Sequence, residues 1–227
     1  MNLELLHLCD SLFPIGSFGY SDGLETAMAG LAPDAADAVD RLREWMDVCL
    51  DETIGRLEGP AVWIAWGAVA DGDWDRVAAV DAETIALRPS AAARKSTRAM
   101  GLQLLTTWSA LNPDPRLAHA LALAGRRGIG PSLPVAFGVV CCTSAIARSD
   151  SVEAFAYTRL ASTISAAMRL MPIGQTSAHG LLARCLARIP AVVAALIARA
   201  AQPESFAPHV DIALMTHQYL HSRLFRT

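Results

Sequence analysis

Asp37–Leu57 reads DAVDRLREWMDVCLDETIGRL. Val39, Leu42, Trp45, Met46, Cys49, Leu50, Ile54 and Leu57 recur at helical intervals, and Asp40, Arg43, Asp47 and Asp51 occupy the other side. That spacing gathers the apolar side chains on one face of a helix with 3.6 residues per turn. Nowhere do several turn-bounded runs alternate apolar and polar residues with the period of two that a half-buried strand requires. The segment is the clearest helix in the chain, and it sets the expected fold class as all-α.

Outward from it, further helices follow on both sides. Met1–Leu12 is predicted to be a short helix, and Gly23–Gly30 to open another that Pro33 stops. Pro60 suits the first turn of a new helix, where its missing N–H would be unpaired anyway. Ala61–Val69, with Trp63 and Trp66, is apolar nearly all round and belongs in a core or an interface. Asp73 is a candidate N-cap for Trp74–Leu87, and Asn112-Pro113-Asp114-Pro115 ends a helix over Ala91–Leu111. Ala118–Ala124 and Leu133–Ala147 come next. Asp150-x-x-Glu153 resembles a capping box opening a helix to Met171, and Pro172 and Gly174 break the chain. Gln175–Ile189, Pro190–Ala201 and Asp211–Phe225 complete the set. The reading is a single helical domain over residues 1–227, of about ten helices, with a flexible N-terminal segment and C-terminal tail.

Composition narrows the function classes. Hydrophobic residues make up 53% and charged residues 18%. A mean hydropathy of +0.32 lies above that of an ordinary soluble domain. The longest uncharged run, Gly128–Ala147, is interrupted by Gly130, Pro131, Pro134 and Gly138 and makes a poor spanning helix. No membrane insertion is expected, and subunit contacts account better for surplus apolar surface. Glu4 and Asp10, with no basic residues ahead of the apolar ones, do not fit a secretory signal. Five cysteines without framework spacing point to a reducing, cytoplasmic setting. A net charge of −3 without a basic cluster gives nucleic acid nothing to bind.

Candidate chemistry is sparse. Gly19-Tyr20-Ser21-Asp22-Gly23 fits G-x-S-x-G, but a nucleophile elbow needs a strand before the serine, and Pro14 and Gly16 break the chain there. His217 and His221 stand four apart on the last predicted helix, a spacing that puts two imidazoles on one face for a metal. In HQYLH, however, Gln218 replaces the glutamate of H-E-x-x-H, and a structural site needs four ligands. Adjacent Cys141-Cys142, with Cys9, Cys49 and Cys185 on apolar faces, read as buried thiols. Arg88, Arg94, Lys95 and Arg98 form the densest basic patch, read either as a docking face for an acidic partner or, more simply, as a solvated helix face. No phosphate-cradling glycine loop is present, so any nucleotide hydrolysis belongs to another chain.

The least ordinary stretch is Leu12–Glu25, LFPIGSFGYSDGLE, a shaped glycine-rich loop. Through Pro14, Ile15, Gly16, Phe18, Tyr20, Ser21, Gly23, Leu24 and Glu25 it resembles the N-terminal signature of the UreF family of urease accessory proteins. Two later blocks resemble the same family in the same order: Arg169-Leu-Met-Pro-Ile-Gly-Gln175-Thr, and Asp211-Ile-Ala, Met215 and His217 followed by Arg223-Leu-Phe-Arg226. Arg98-Ala-Met-Gly101 with Leu104 and Leu105 is a weaker fourth. Departures are Gln218 for the family's usual Glu, Thr227 for Ser, and Pro89 in a region the family keeps helical.

The resemblance implies an all-α, non-enzymatic chaperone that dimerises, binds the scaffold protein UreD (also called UreH), recruits the GTPase UreG, and supports GTP-dependent nickel insertion into urease apoprotein. It implies no cofactor of the chain's own, nickel being handled by the assembly. Tyr20, Ser21 and Glu25, with Gly174 and Gln175, are expected to shape a dimer or GTPase-facing surface. Arg223, Leu224, Phe225 and Arg226 are expected to order against the scaffold. Two alternatives stay open: a direct nickel carrier using His217 and His221, and a serine hydrolase built on Ser21.

Overall fold

The apolar stripe of Asp37–Leu57 lies inside the molecule, with Leu42, Met46 and Leu50 fully buried. In the computed structural model, which describes residues 2–29, 37–127, 130–200 and 202–226, this stripe begins one continuous helical rod ending at Asp71. The rod starts as α3 (Asp37–Val48), widens into a π-helical stretch over Cys49–Glu58, and tightens again as α4 (Gly59–Asp71). Pro60 stands in the first turn of α4, as expected, and that turn continues the rod. The carbonyls that the missing Pro60 N–H leaves free find other donors: Arg56 accepts from the Glu204 N–H and Gly55 from the Arg199 guanidinium, each at 2.9 Å.

Around the rod lie α1 (Leu3–Leu8), α2 (Leu24–Met28), α5 (Trp74–Ala86), α6 (Ala91–Leu111), α7 (Pro115–Arg127), α8 (Leu133–Thr143), α9 (Arg148–Leu170), α10 (Gln175–Leu186), α11 (Ile189–Ala198) and α12 (Pro208–Thr216). Ten of these twelve run nine residues or longer, and no strand occurs among the described residues. The all-α expectation holds. The stop assigned to Pro33 lies outside the described residues, as does Thr227.

Several helix ends differ from expectation for identifiable reasons. α8 stops at Thr143 because Ala145 adopts a left-handed φ of 53° and the Ile146 N–H turns back to the Cys141 carbonyl. α9 begins at Arg148, so Asp150 and Glu153 lie inside it and form no capping box; Ser151 Oγ instead donates to the Ala147 carbonyl. α12 starts at Pro208, whose fixed φ suits a first turn, and ends at Thr216 rather than Phe225. The expected cap forms at Asp73, whose side chain accepts from the Arg76 N–H, and Ser90 also caps α6 by accepting from the Ala93 N–H.

α4 is the centre of the packing, lying against α5, α8 and α9. α8, buried over Leu133–Cys142, crosses it so closely that a Cβ on Gly138 would stand 2.6 Å from the Val62 carbonyl oxygen. Only glycine allows that approach. One stretch among the described residues, Gln175–Ala198, is long and apolar enough to cross a membrane. It is two helices, α10 and α11, divided at Ala187–Arg188, with Arg184 and Arg188 paired to Asp47 and Arg188 also to Asp51.

A charge cluster is enclosed where the π-helical stretch ends. Glu58, 2% exposed, accepts from Arg88 at 2.6 Å through one oxygen and from Arg159 Nε at 3.1 Å through the other. Arg159 also pairs with Asp22 at 2.9 Å. Burial alone would raise the Glu58 pKa; the Arg159 and Arg88 guanidiniums and their hydrogen bonds outweigh it and hold the carboxyl below its ordinary value. Of the basic patch around Arg88, Lys95 stands exposed, while the three arginines are drawn onto the protein's own groups. Arg88 is buried on Glu58, Arg94 donates to the carbonyls of Arg88 and Pro89, and Arg98 donates to the Gly130 carbonyl and pairs with Asp81.

Gly138→Ala is expected to cost about 1–3 kcal/mol by overpacking α8 on α4. Thermal unfolding followed by circular dichroism should show a midpoint lower by roughly 2–4 °C for each kcal/mol; an unchanged midpoint would contradict the close crossing. Glu58 contributes stability that is complete above its ordinary pKa of 4.5 and is lost as pH falls through the lower value it has when folded. Glu58→Gln, which leaves the buried Arg88 without its carboxylate and Arg159 with Asp22 alone, should cost about 3 kcal/mol or more at neutral pH. It should also flatten part of the wild-type loss of urea resistance below that pH. Parallel wild-type and variant stability–pH curves would refute the assignment.

Candidate functional site

The glycine-rich loop, the end of α9 and the C-terminal tail are far apart in sequence and meet in one place. Ile15 through Tyr20 form an irregular turn in which Gly16 takes φ 80° and Ser17–Gly19 make a single 3₁₀ turn. Asp22 (φ 52°) and Gly23 (φ 91°) then reverse the chain into α2. A Cβ at Gly23 would touch Trp45, Ala213 and Leu214 at 3.3 Å, so glycine is needed both for its φ and for the approach of α3 and α12.

Glu25, in the first turn of α2, is 8% exposed and points at the tail. One carboxylate oxygen accepts from the Leu224 N–H at 2.5 Å. The other accepts from the Phe225 N–H at 3.1 Å and lies 2.9 Å from His217 Nε2. One residue further, the Arg226 N–H donates to the Gly19 carbonyl at 2.9 Å. Phe225 is buried, and the Arg169 guanidinium lies between its ring at 4.3 Å and that of Phe18 at 3.9 Å, while donating to the Phe18 carbonyl at 2.7 Å. Charge-assisted hydrogen bonds and arginine–aromatic stacking thus seat the tail on the loop.

The expected surface residues divide accordingly. Glu25, Phe225, Leu224 and Arg226 come together in this joint. Tyr20 is half-buried at its edge, and Arg223 and Arg226 expose their side chains. Ser21 is 3% exposed, and its Oγ accepts from the Glu25 N–H at 3.3 Å. No strand precedes it, so the geometry of a nucleophile elbow is lacking. Gly174 and Gln175 stand exposed at the start of α10, and neither hydrogen-bonds to the loop or the tail. His217 and His221 do not share a helical face, because α12 has already ended. His217 is buried on Glu25 and His221 is exposed beyond the following 3₁₀ turn. Among the described residues no group of three or more His, Cys, Asp or Glu is arranged to hold a metal ion.

The cysteines are unpaired thiols. Burial raises the pKa of Cys9 to about 11 and that of Cys49 to about 12, and it raises that of Cys141 as well. Raised in this way, these three thiols stay protonated at neutral pH and are poor nucleophiles. Beside the joint, a groove of about 750 Å³ runs along α9, bordered by Leu6, Phe18, Tyr157, Ser162, Arg169 and Phe225. Leu6 and Phe18 are more than half exposed on its rim.

The sequence profile of the UreF family matches residues 37–186. Proteins named urease accessory protein UreF align over nearly the whole chain. One from Azoarcus sp. (strain BH72) is 31% identical over 99% of this chain and 95% of its own. One from Methylibium petroleiphilum is 33% identical over 99% and 93%, and one from Rhodopseudomonas palustris (strain BisA53) is 33% identical over 95% and 88%. The chain belongs to the UreF family. Its membership places it among urease accessory proteins and ties it to urease maturation. The profile leaves out both the glycine loop and the tail, which the full-length relatives cover.

No motif in the sequence points to Glu58 or Arg159. The available signal was a charge on an apolar stripe: Glu58 follows Ile54 by four, and Arg159 follows Phe155 by four. Glu25→Gln should loosen the tail, because an amide cannot accept from all the donors that converge on the carboxylate. Trypsin cleavage after Arg223, read by mass spectrometry under native conditions, should accelerate by about tenfold or more. Equal cleavage rates in wild type and variant would show that Glu25 does not hold the tail.

Proposed function

We propose that the chain is a non-catalytic urease maturation chaperone that works with the scaffold UreD (UreH) and the GTPase UreG on urease apoprotein, in the cytoplasm, and supports GTP-dependent nickel insertion. The observation that carries this reading is the joint itself. The three sequence blocks that mark the family, 12–25, 169–175 and 211–226, converge on one surface through Glu25, Arg169 and Phe225. A chain whose buried charge and arginine stacking at this joint seat its own tail is suited to present a shaped surface.

That surface carries unspent binding capacity. Leu224 is 54% and Phe18 68% exposed, Tyr219 is 78% exposed, and the side chains of Arg223 and Arg226 project into solvent. Aromatic and arginine side chains of this kind are the usual anchors of protein interfaces. The proposed role of the tail is contact with the scaffold and, with the loop, recruitment of the GTPase. The groove along α9 offers apolar surface to a second copy of the chain. Nickel is handled by the assembly rather than held by a site of this chain, and gating works by binding the GTPase more tightly in one nucleotide state than in the other.

The carrier reading loses its premise when His217 is committed to Glu25 and His221 lies off the helix. Against the hydrolase reading stand the burial of Ser21 and the absence of a strand among the described residues. The test is size exclusion with light scattering on the purified chain mixed with its cognate UreD and UreG. A complex of all three is expected, with removal of residues 223–227 abolishing it. Arg223→Ala and Arg226→Ala should each weaken it about tenfold or more. Unchanged assembly of these variants would refute the tail's role, and three separate peaks for the wild type would refute the function.

A further inference from the structure

Asp22 is a non-glycine residue in the left-handed region, a conformation that costs free energy unless its surroundings hold it. What holds it is Arg159, reaching from the middle of α9 to the Asp22 carboxylate at 2.9 Å. Arg159 is itself fixed: its Nε donates to Glu58 at 3.1 Å, its side chain is 14% exposed, and Glu58 is clamped from the far side by Arg88 at 2.6 Å. The chain of contacts therefore runs from Arg88, just past α5, and the π-helical stretch, through α9, to the turn that launches α2. Three residues past Asp22 stands Glu25, whose carboxylate accepts the N–H groups of Leu224 and Phe225. A helix of five residues is too short to orient itself, so the direction of Glu25 depends on where the Asp22–Gly23 turn is pinned.

We infer that Arg159 is a positioning residue for the tail: by anchoring Asp22 to the Glu58–Arg88 pair, it sets the turn that aims Glu25 and thereby keeps the tail seated on the glycine loop. Its importance for partner binding rests on the reading of this surface given above; its effect on the tail does not. An arginine is needed because its planar fork can serve two carboxylates on different elements at once, which the point charge of a lysine cannot do in the same geometry.

The test is amide hydrogen exchange on the isolated full-length chain, comparing wild type with Asp22→Asn, Arg159→Met and the double variant. Asparagine tolerates a left-handed φ and removes only the charge, so Asp22→Asn leaves the backbone of the turn available. Both single variants should raise exchange at the amides of Leu224, Phe225 and Arg226 by about tenfold or more. In Asp22→Asn the amides of α4 and α8 should change little. The double variant should exchange at the tail no faster than Arg159→Met alone, since both act along one path. Tail amides left at wild-type protection in Asp22→Asn, a uniform rise across the chain, or additive effects in the double variant would each overturn the inference. Assembly with UreD and UreG is measured separately on the same variants. A loosened tail with undiminished assembly would leave the positioning role standing and count against the tail as a partner surface.

Discussion

A carboxylate with almost no access to water is the constraint on which this arrangement depends. Glu58 cannot stay ionised in the core without compensation, since the cost of burying a lone charge runs to several kcal/mol. The two guanidiniums that supply it come from Arg88, just past α5, and Arg159, in α9, and the second also ties down Asp22. One buried charge thereby obliges four segments to arrive at the same point. Apolar contacts alone would let them slide by a turn with little change in buried area; the cluster does not, because any slip strands a charge.

The π-helical stretch makes the cluster possible. Widening the rod over Cys49–Glu58 shifts the phase of everything after it, so that Glu58 faces Arg159 while Gly55 and Gly59 face α11. A Cβ on Gly59 would lie 2.7 Å from the Ile54 carbonyl oxygen and 3.0 Å from Leu196, so the local pitch and the helix contact require the same residue.

The fold class was legible from periodicity because α3, α5 and α6 each bury one stripe, and Ala91–Leu111 was bounded correctly by Ser90 and the Asn-Pro-Asp-Pro sequence. The ends decided by tertiary contact were not legible. Nothing local says that α12 stops at Thr216; it stops because His217 turns inward to Glu25, 192 residues earlier, and the tail is drawn onto the loop. The candidate surface was partly legible for a different reason. Its residues recur as family blocks, but the blocks do not say that Arg169 lies between Phe18 and Phe225. The arginines around residue 88 misled because charge in sequence was equated with charge at the surface, and two of them are spent on Glu58 and Asp81.

Strength and location of these contacts explain why a rigid core and a separable tail coexist in one chain. The Glu58 cluster lies among the π-helical stretch, α6 and α9, so opening it exposes apolar core and costs much of the global stability. The tail is held by three donors to carboxylate and carbonyl oxygens, with one buried ring, Phe225, at the rim of an open groove. Hydrogen bonds to a charged acceptor are worth about 1.5–3 kcal/mol each, and water replaces part of that when they open. Undocking the tail therefore costs far less than unfolding. A surface whose shape depends on a small local equilibrium, set from a core that does not move, gives a partner something to select at modest energetic expense.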